Sequence, residues 1–313
     1  MKGLSSRAII GIFYEKLAAI VGASWVGGVS MDFFDSDMET EEYKWLGMSP
    51  AMREWIGGRQ AKGLRENGIS IKNKKWESTL EILVDDLRRD KTGQIRVRIA
   101  DQARRANSHW ASLLSTQILN GESNLCYDGQ YFFDTDHEEG DSGTQDNDLT
   151  VDISALPVNQ HGSVAAPSPE EMELVILQGV QQILSFKDDQ GEPMNEDATA
   201  FDVLVPVPYL QAAIAATRNP VLTSGKTSTI VSSDFNITAK VNPRLTWTDK
   251  LAIFRTDGDT KAFIRQEEQG VSVSAIAEGS EMEFKEDKHY YGLKALRNVG
   301  YGFWQKACQL QLI

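Results

Sequence analysis

Apolar residues recur at every third or fourth position from Gln94 to Leu119, and this period predicts the longest helix of the chain. The pair Asn120-Gly121 follows directly and is a typical helix stop. The apolar face consists of Ile99, Ala103, Ala106, Trp110, Leu113, Leu114 and Ile118, and the opposite face carries Arg96, Arg98, Arg104 and Arg105. Trp110 is therefore expected on the buried side of a long helix that has a basic outer face.

A basic segment before this helix predicts a long β-hairpin. Asn67-Gly68 lies between apolar residues, Leu64 on one side and Ile69 and Ile71 on the other, and Asn-Gly is a strong signal for a type I′ turn. The second arm is expected to continue to Val84. The basic residues of the segment are Arg59, Lys62, Arg65, Lys72, Lys74 and Lys75, against Glu66 and Glu77. An isolated two-stranded ribbon is marginally stable, so the hairpin should rest on another body; a solvated surface hairpin is the alternative.

The remaining elements mix helices and strands and predict an α+β fold. Ser168-Pro169-Glu170-Glu171 has the cap, proline and acidic first turn of a helix that should run to about Phe186. Asp134 to Asp148 has no period and is expected to be an exposed acidic loop. Further helices are expected from residue 1 to 24 and from 208 to 218. Strands are expected at 125–133, 200–207, 229–241, 251–255, 262–266, 271–276, 290–296 and 300–312.

Composition limits the classes of function that the chain can have. Of the 313 residues, 41% are hydrophobic, but no apolar run approaches the roughly 18 residues that a membrane helix needs. The two cysteines, Cys126 and Cys308, are far apart and are expected to be buried thiols without a disulfide. The net charge of −13 argues against a general nucleic-acid-binding protein, although such a chain can enclose DNA without adhering to it.

Residues that could carry out chemistry do not form a known catalytic pattern. The segment from Ser224 to Thr227 resembles the end of a phosphate-binding loop, but Pro220 stands where that motif needs glycine. Asp134, Asp136 and His137 could hold a metal ion, and a metal-dependent hydrolase is therefore the alternative function, although the spacing of a calcium loop is absent. His109, His161 and His289 lack a partner at catalytic spacing and are expected to be structural. We expect no catalytic residue, metal or cofactor.

Several short segments resemble one family, the major head subunits of Mu-like bacteriophages, and they follow in the same order nearly from end to end. In the first third these are WLG (45–47), REWIG (53–57), ISIKN (69–73) and WESTLE (76–81). Further along they are NG (120–121), CYDGQ (126–130), FFDTDH (132–137), KDDQG (187–191), YG (291–292) and NVGYGFW (298–304).

The resemblance implies the Hong Kong 97 phage capsid fold and a structural protein that is not an enzyme. It divides the chain into an N-terminal arm (1–50), an extended loop (51–84), a peripheral domain with a long spine helix (85–149 and 246–299) and an axial domain (150–245 and 300–313). The predicted hairpin becomes the extended loop, and a neighbouring subunit supplies the body on which it rests.

The resemblance also implies the partners and the place of action. The chain would assemble with itself into pentamers and hexamers of an icosahedral head, with a separate scaffold or protease protein and a portal protein, around double-stranded DNA. It leaves open whether a decoration protein binds. The protein would be found in the virion after assembly in the bacterial cytoplasm, without a membrane. Contacts between subunits are expected from Arg59, Lys62, Leu64, Arg65, Asn67, Gly68, Ile69, Ile71, Lys72 and Lys74.

Overall fold

The computed structural model describes residues 5–19, 22–34, 36–43, 68–90, 93–222 and 225–313. The helices in these ranges are α1 (Ser6–Ala19), α2 (Val26–Val29), α3 (Val84–Arg89), α4 (Gln94–Asn107), α5 (His109–Leu119), α6 (Pro169–Ser185), α7 (Leu210–Arg218), α8 (Thr229–Ser232) and α9 (Glu281–Glu286). The strands are β1 (Ser30–Phe34), β2 (Thr40–Tyr43), β3 (Ile69–Lys72), β4 (Lys74–Leu83), β5 (Asp148–Val151), β6 (Ala200–Val205), β7 (Asn236–Val241), β8 (Lys250–Arg255), β9 (Phe263–Ile276), β10 (Lys288–Tyr301) and β11 (Ala307–Leu312). The mixture confirms the predicted α+β class. None of the helices in these ranges has the length and apolar character needed to span a membrane.

One sheet is built around two long strands, with the order β1-β9-β10-β4. β10 runs antiparallel to both β9 and β4, and β1 lies parallel to β9 at the edge. The sequence predicted two strands where the structure has the single strand β9, because pairing with β10 continues on both sides of Gly270. Side chains of β10 alternate between buried and half-buried, so one face of this sheet is packed on helices.

A second sheet has the order β5-β11-β8-β6-β7. The pairs β5–β11 and β6–β7 are parallel, and β8 is antiparallel to both of its neighbours. β8 follows the predicted domain boundary at residue 246, yet it pairs with β6 and β11, which were assigned to the axial domain. Strand pairing therefore groups β8 with the axial strands, and the division into domains stays a prediction.

The long predicted helix is present as α4 and α5, with Ser108 between them. Ser108 keeps helical backbone angles, and its amide donates to Arg104 O at 2.9 Å, so the axis is nearly continuous. α4 packs against α1 and the first sheet in a core that contains Ile9, Phe13 and Ile99. The predicted N-terminal amphipathic helix is thereby confirmed as α1.

α6 starts as its sequence predicted. Ser168 Oγ accepts from Glu171 N at 3.2 Å, and Glu171 Oε2 accepts from Ser168 N at 2.7 Å, which forms a reciprocal capping box. Gly179 on this helix faces β8 and β11: a Cβ there would overlap Ile253 and Leu310 side chains. The helix therefore packs closely on the second sheet.

One predicted strand is wrong, and another begins too early. Residues 125–133 form turns with one isolated bridge, from Leu125 to Tyr131, because Phe132 and Phe133 are buried among other aromatic rings and do not pair in a ladder. The segment 229–241 begins with α8, since Ser228 Oγ accepts from Val231 N and caps a short helix before β7.

The predicted exposed loop from Asp134 to Asp148 is irregular, and it alternates exposed residues with residues buried in the interior. His137 and Asn147 are fully buried, and Glu139 is 7% exposed. Asn147 explains the packing: Asn147 Nδ2 donates to Phe132 O, and Asn147 Oδ1 accepts from Asp134 N at 2.9 Å. An acidic composition alone did not reveal these contacts.

Candidate assembly surfaces

The base of the predicted extended loop is a small two-stranded sheet. β2 and β3 pair antiparallel, with Tyr43 opposite Ile69, so the chain leaves this sheet at Tyr43 and returns at Ile69. The second arm of the predicted hairpin is not one continuous strand: it breaks at Asn73, and β4 joins β10 instead. Asn73 is buried, and its side-chain Nδ2 donates to Ser36 Oγ at 2.9 Å. This hydrogen bond fixes the break between the two strands.

Side chains from distant parts of the chain hold this base in place. Gln266 is fully buried; its Oε1 accepts from Tyr43 Oη at 2.7 Å and its Nε2 donates to Ile71 O at 3.2 Å. Asn298 Nδ2 donates to Lys72 O at 2.8 Å. Position 300 requires glycine, because a Cβ at this position would overlap the Ile71 side chain. The base is therefore tied to β9 and β10.

The residues predicted to contact a neighbouring subunit have different environments. Gly68, Lys72 and Lys74 are exposed and Ile69 is half-buried, whereas Ile71 is 3% exposed and packs in the core of its own chain. The ammonium group of Lys72 lies 2.8 Å from Glu39, and this hydrogen bond and charge lower the pKa of Glu39. Arg59, Lys62, Leu64, Arg65 and Asn67 lie outside the described residues. Contact between subunits at this loop stays a prediction.

The structure does not assemble the metal site considered as an alternative. His137 Nδ1 lies 2.6 Å from Asp128 Oδ2, and the imidazole stacks on Trp304 with ring centroids 4.0 Å apart. His137 is fully buried, whereas Asp136 is exposed. Among the described residues, histidines, cysteines and acidic residues do not group in a way that could hold a metal ion.

Around His137 the structure shows a buried polar centre that sequence reasoning missed. Tyr127 Oη contacts Gln305, which is fully buried, and Gln305 Nε2 lies 3.5 Å from Glu139 Oε2. Burial, followed by the nearby charges of Asp128 and Asp189, raises the pKa of Glu139 to about 7, although a hydrogen bond with Tyr127 opposes this.

Neighbouring cations complete the centre. Asn195 Oδ1 accepts from Lys306 Nζ at 2.8 Å and from Arg255 Nη1 at 3.0 Å. Burial, with the charge of Arg255, lowers the pKa of Lys306 to about 8. Burial alone would raise the pKa of Asp257, but hydrogen bonds from Arg255 and Thr199 hold it at about 2. These partners lie far apart in the sequence, so no local motif indicated the network, which joins loops to the end of β8 and the start of β11.

The other histidines and the glycine-lysine motif have structural surroundings. His109 Nδ1 accepts from Arg297 Nε at 3.1 Å, and burial with the charges of Arg297 and Arg244 lowers its pKa to about 4. His161 contacts Glu171, and His289 lies 3.2 Å from Glu283. The glycine-lysine segment follows α7, and Val221 bridges to Thr227 in a short turn, which is not the arrangement of a phosphate-binding loop.

Comparison with known proteins gives a consistent result. Residues 13–155 and 236–311 match the family described as Mu-like prophage major head subunit gpT. The Mu-like prophage FluMu major head subunit of Haemophilus influenzae is 39% identical over 105 residues, which cover 34% of each chain. The major capsid protein of Escherichia phage Mu is 32% identical over 124 residues, covering 40% of this chain and 36% of that protein. The alignments thus span about a third of these relatives.

A solved structure shares the fold. A chain from the procapsid of bacteriophage JBD30 superimposes with a TM-score of 0.56 and 22% identity, covering 97% of this chain and 74% of that one. The matched family is one of structural head subunits, not of enzymes, which excludes the hydrolase alternative. This chain belongs to the Mu-like prophage major head subunit gpT family and has the Hong Kong 97-type phage capsid fold.

Proposed function

We propose that this chain is the subunit of an icosahedral phage head, in which pentamers and hexamers of the protein form a closed shell around double-stranded DNA. The observation that carries the proposal is the family match, which includes strands of both large sheets and the spine helices α4 and α5. A shell of many copies can be stable with modest individual contacts, because each copy is tied to several neighbours.

Each region of the chain has a proposed part in the shell. Residues 1–50 are the arm, 51–84 the extended loop, and the two sheets are the centres of the peripheral and axial domains. The pairing of β8 with β6 and β11 supports moving the later boundary from 246 to the turn between β8 and β9. The hydrogen bonds of Gln266 and Asn298 support the extended loop, since they give it a fixed base from which to reach a neighbour.

Other partners follow from the same proposal. A separate scaffold or protease protein would guide assembly and a portal protein would occupy one vertex; the question of a decoration protein stays open. The net charge of −13 suits a protein that encloses DNA without sequence-specific binding. Assembly would take place in the bacterial cytoplasm, and the final location would be the virion.

Assembly of the purified chain tests the proposal. The protein is concentrated alone and with its scaffold protein, and the products are measured by sedimentation velocity and negative-stain microscopy. We expect pentamers, hexamers, shells or tubes, with more regular shells when the scaffold is present. A chain that remains monomeric over a wide concentration range with scaffold present would contradict the proposed function.

A further inference from the structure

Phe284 is the most exposed large hydrophobic side chain among the described residues, at 92%. It lies on α9, which connects β9 to β10 at one end of the first sheet. A fully exposed phenylalanine loses the favourable free energy that burial of its ring would bring. A single exposed apolar residue is common on protein surfaces, so its neighbourhood decides whether it is significant.

The helix that carries Phe284 is held firmly and is acidic. Ser280 Oγ accepts from Glu283 N at 3.2 Å, and Glu283 Oε2 accepts from Gly279 N at 2.6 Å, so both groups fix the start of the helix. The short helix also carries the acidic residues Glu281 and Glu286 and the basic residue Lys285, which forms an ion pair with Glu281. Phe284 is thus presented on a fixed, negatively charged projection.

A cavity of about 430 Å³ lies elsewhere in the same chain, between the spine helices and the strands β4 and β10. Trp76 and His109 line it with rings in an edge-to-face arrangement, 4.6 Å apart, and Ala106, Leu113 and Leu293 add apolar surface. Roughly 150 Å³ of apolar space is enough to hold a benzene ring. Aromatic walls favour an aromatic occupant, because ring pairs gain free energy beyond simple burial.

The charges around the cavity are complementary to those of α9. The basic residues Lys74, Lys294 and Arg105 are among those that line the cavity, whereas Glu77 is the acidic residue in its lining. Arg105 also forms an ion pair with Asp101. The acidic residues beside Phe284 would therefore meet mainly positive charge at the cavity. Complementary charge guides the orientation and the specificity of a contact more than it adds affinity.

Phe284 cannot fill the cavity of its own chain. α9 ends just before Lys288, at one end of β10, whereas Leu293, the nearest residue of β10 that lines the cavity, lies five residues further along that strand. At about 3.3 Å per strand residue this separates the two features by roughly 16 Å, beyond the reach of a phenylalanine side chain. Phe284 could therefore enter this cavity only from another copy of the chain.

We propose that Phe284 of one copy inserts into the Trp76–His109 cavity of a second copy of this chain. The inference rests on the proposed function and names one of its contacts between subunits. The contact is heterologous, since two different surfaces meet, and such contacts propagate into rings or extended arrays. Each subunit would supply one projection and one cavity, as a repeating shell lattice requires.

Replacement of Phe284 tests the proposal. Phe284→Ala should leave the melting temperature of the subunit unchanged, because the ring makes no buried contact in its own chain. The protein concentration needed for assembly should rise roughly tenfold or more. Val97→Ala is the control, since Val97 is 69% exposed on α4 and is not among the residues that line the cavity, and it should assemble like the wild type.

Cross-linking tests the pairing of the two surfaces directly and keeps Phe284 in place. Lys285→Cys next to Phe284 is combined with Lys74→Cys at the cavity, and assembled particles are treated with a short bismaleimide. The native cysteines, Cys126 and Cys308, are buried and should react little. We expect a ladder of dimers, trimers and larger species, because a heterologous contact links each copy to two others. Lys285→Cys with Val97→Cys should give no ladder.

The outcomes separate this inference from the proposed function. If the wild type assembles and Phe284→Ala assembles at the same concentration, or the cysteine pair gives no ladder, the inference is wrong and the head function stands. If the wild type does not assemble even with scaffold, both are wrong.

Discussion

Gly140 and Gly143 lie in the same packed loop, and both have positive φ angles, of 58° and 69°. Alanine at Gly143 meets nothing within 4 Å, so Gly143→Ala should cost only backbone strain, about 1 kcal/mol. Alanine at Gly140 would also overlap the carbonyl oxygen of Asp189, a backbone atom that cannot easily move. We expect Gly140→Ala to lower the free energy of unfolding by about 2–4 kcal/mol, measured by urea denaturation. Equal losses would mean that this loop is not packed against residue 189.

Glu139 should make stability depend on pH in a defined window. Its pKa is about 7 in the folded protein and 4.5 as the ordinary value, so the folded state holds the proton more tightly. The associated stabilisation is complete below about pH 4.5 and is lost as pH rises through 7. Lys306, whose pKa is lowered to about 8, changes protonation above this window.

Glu139→Gln removes the ionisation and keeps the size of the side chain. Between pH 4.5 and 8, the free energy of unfolding of this variant should rise relative to the wild type by on the order of 2 kcal/mol. Glu138→Gln, at the exposed neighbouring position, is the control and should follow the wild type. Denaturation curves at three pH values give the result. If the difference in free energy of unfolding between Glu139→Gln and the wild type is the same at all three pH values, Glu139 does not titrate in this window.

At the scale of elements, the spine helix presents Trp110 differently from a simple apolar face. Trp110 is half-buried, with the guanidinium groups of Arg297 and Arg265 centred 4.7 Å and 5.5 Å from the ring centre. His109 is equally half-buried and accepts a hydrogen bond from Arg297. The helical period placed Trp110 on the packed side, but it could not show that the neighbours would be cations.

We therefore expect Trp110→Ala to cost about 2–4 kcal/mol of unfolding free energy, through lost packing and lost cation–π contacts. His109→Ala should cost about 1–2 kcal/mol, because the buried Arg297 loses an acceptor. Trp110→Phe keeps an aromatic ring beside the arginines and should recover more than half of the loss. Thermal melts compare the three. A larger loss for His109→Ala than for Trp110→Ala would mean that the contacts on this face are wrongly assigned.

Elements with a strong local signal could be predicted from the sequence, and those fixed by distant contacts could not. The period of α4 and α5 and the cap of α6 depend on residues within a few turns, so both were found. Residues 125–133 are rich in aromatics, as strands are, but Phe132 stacks on Tyr301 from β10. The break at Asn73 depends on Ser36, far away in the chain.

At the scale of the whole molecule, the fold could be inferred from family resemblance, whereas the surfaces could not. Ile71 was expected to contact a neighbour, and the structure buries it beside Gly300 in its own core. Phe284 was not singled out in the sequence, and the cavity is lined by residues as far apart in the chain as Trp76 and Asn298. Complementarity between such surfaces exists only after folding, so no local pattern could reveal it.

The charge of the extended loop gives a prediction about assembly. Arg59, Lys62 and Arg65 make this segment basic on an acidic chain, so the loop should dock on an acidic surface of the adjacent subunit. Acidic residues cluster in three stretches of the chain, 32–42, 134–148 and 188–197. Asp188 and Asp189 are buried, whereas Asp37, Glu138 and Glu196 remain exposed and are the better candidates.

Reversing all three charges to Glu should leave the melting temperature of the subunit nearly unchanged and should sharply reduce the yield of shells. Each exposed pair is worth at most about 1 kcal/mol and is screened beyond roughly 8–10 Å, but the pairs repeat at every contact between subunits. Leu64→Ser is the matched control, since it changes the apolar character of the loop and keeps its charge. Sedimentation at low and moderate salt measures the yield. Normal assembly of the triple variant at low salt, with loss in Leu64→Ser, would mean that Leu64 and Ile69 dock the loop.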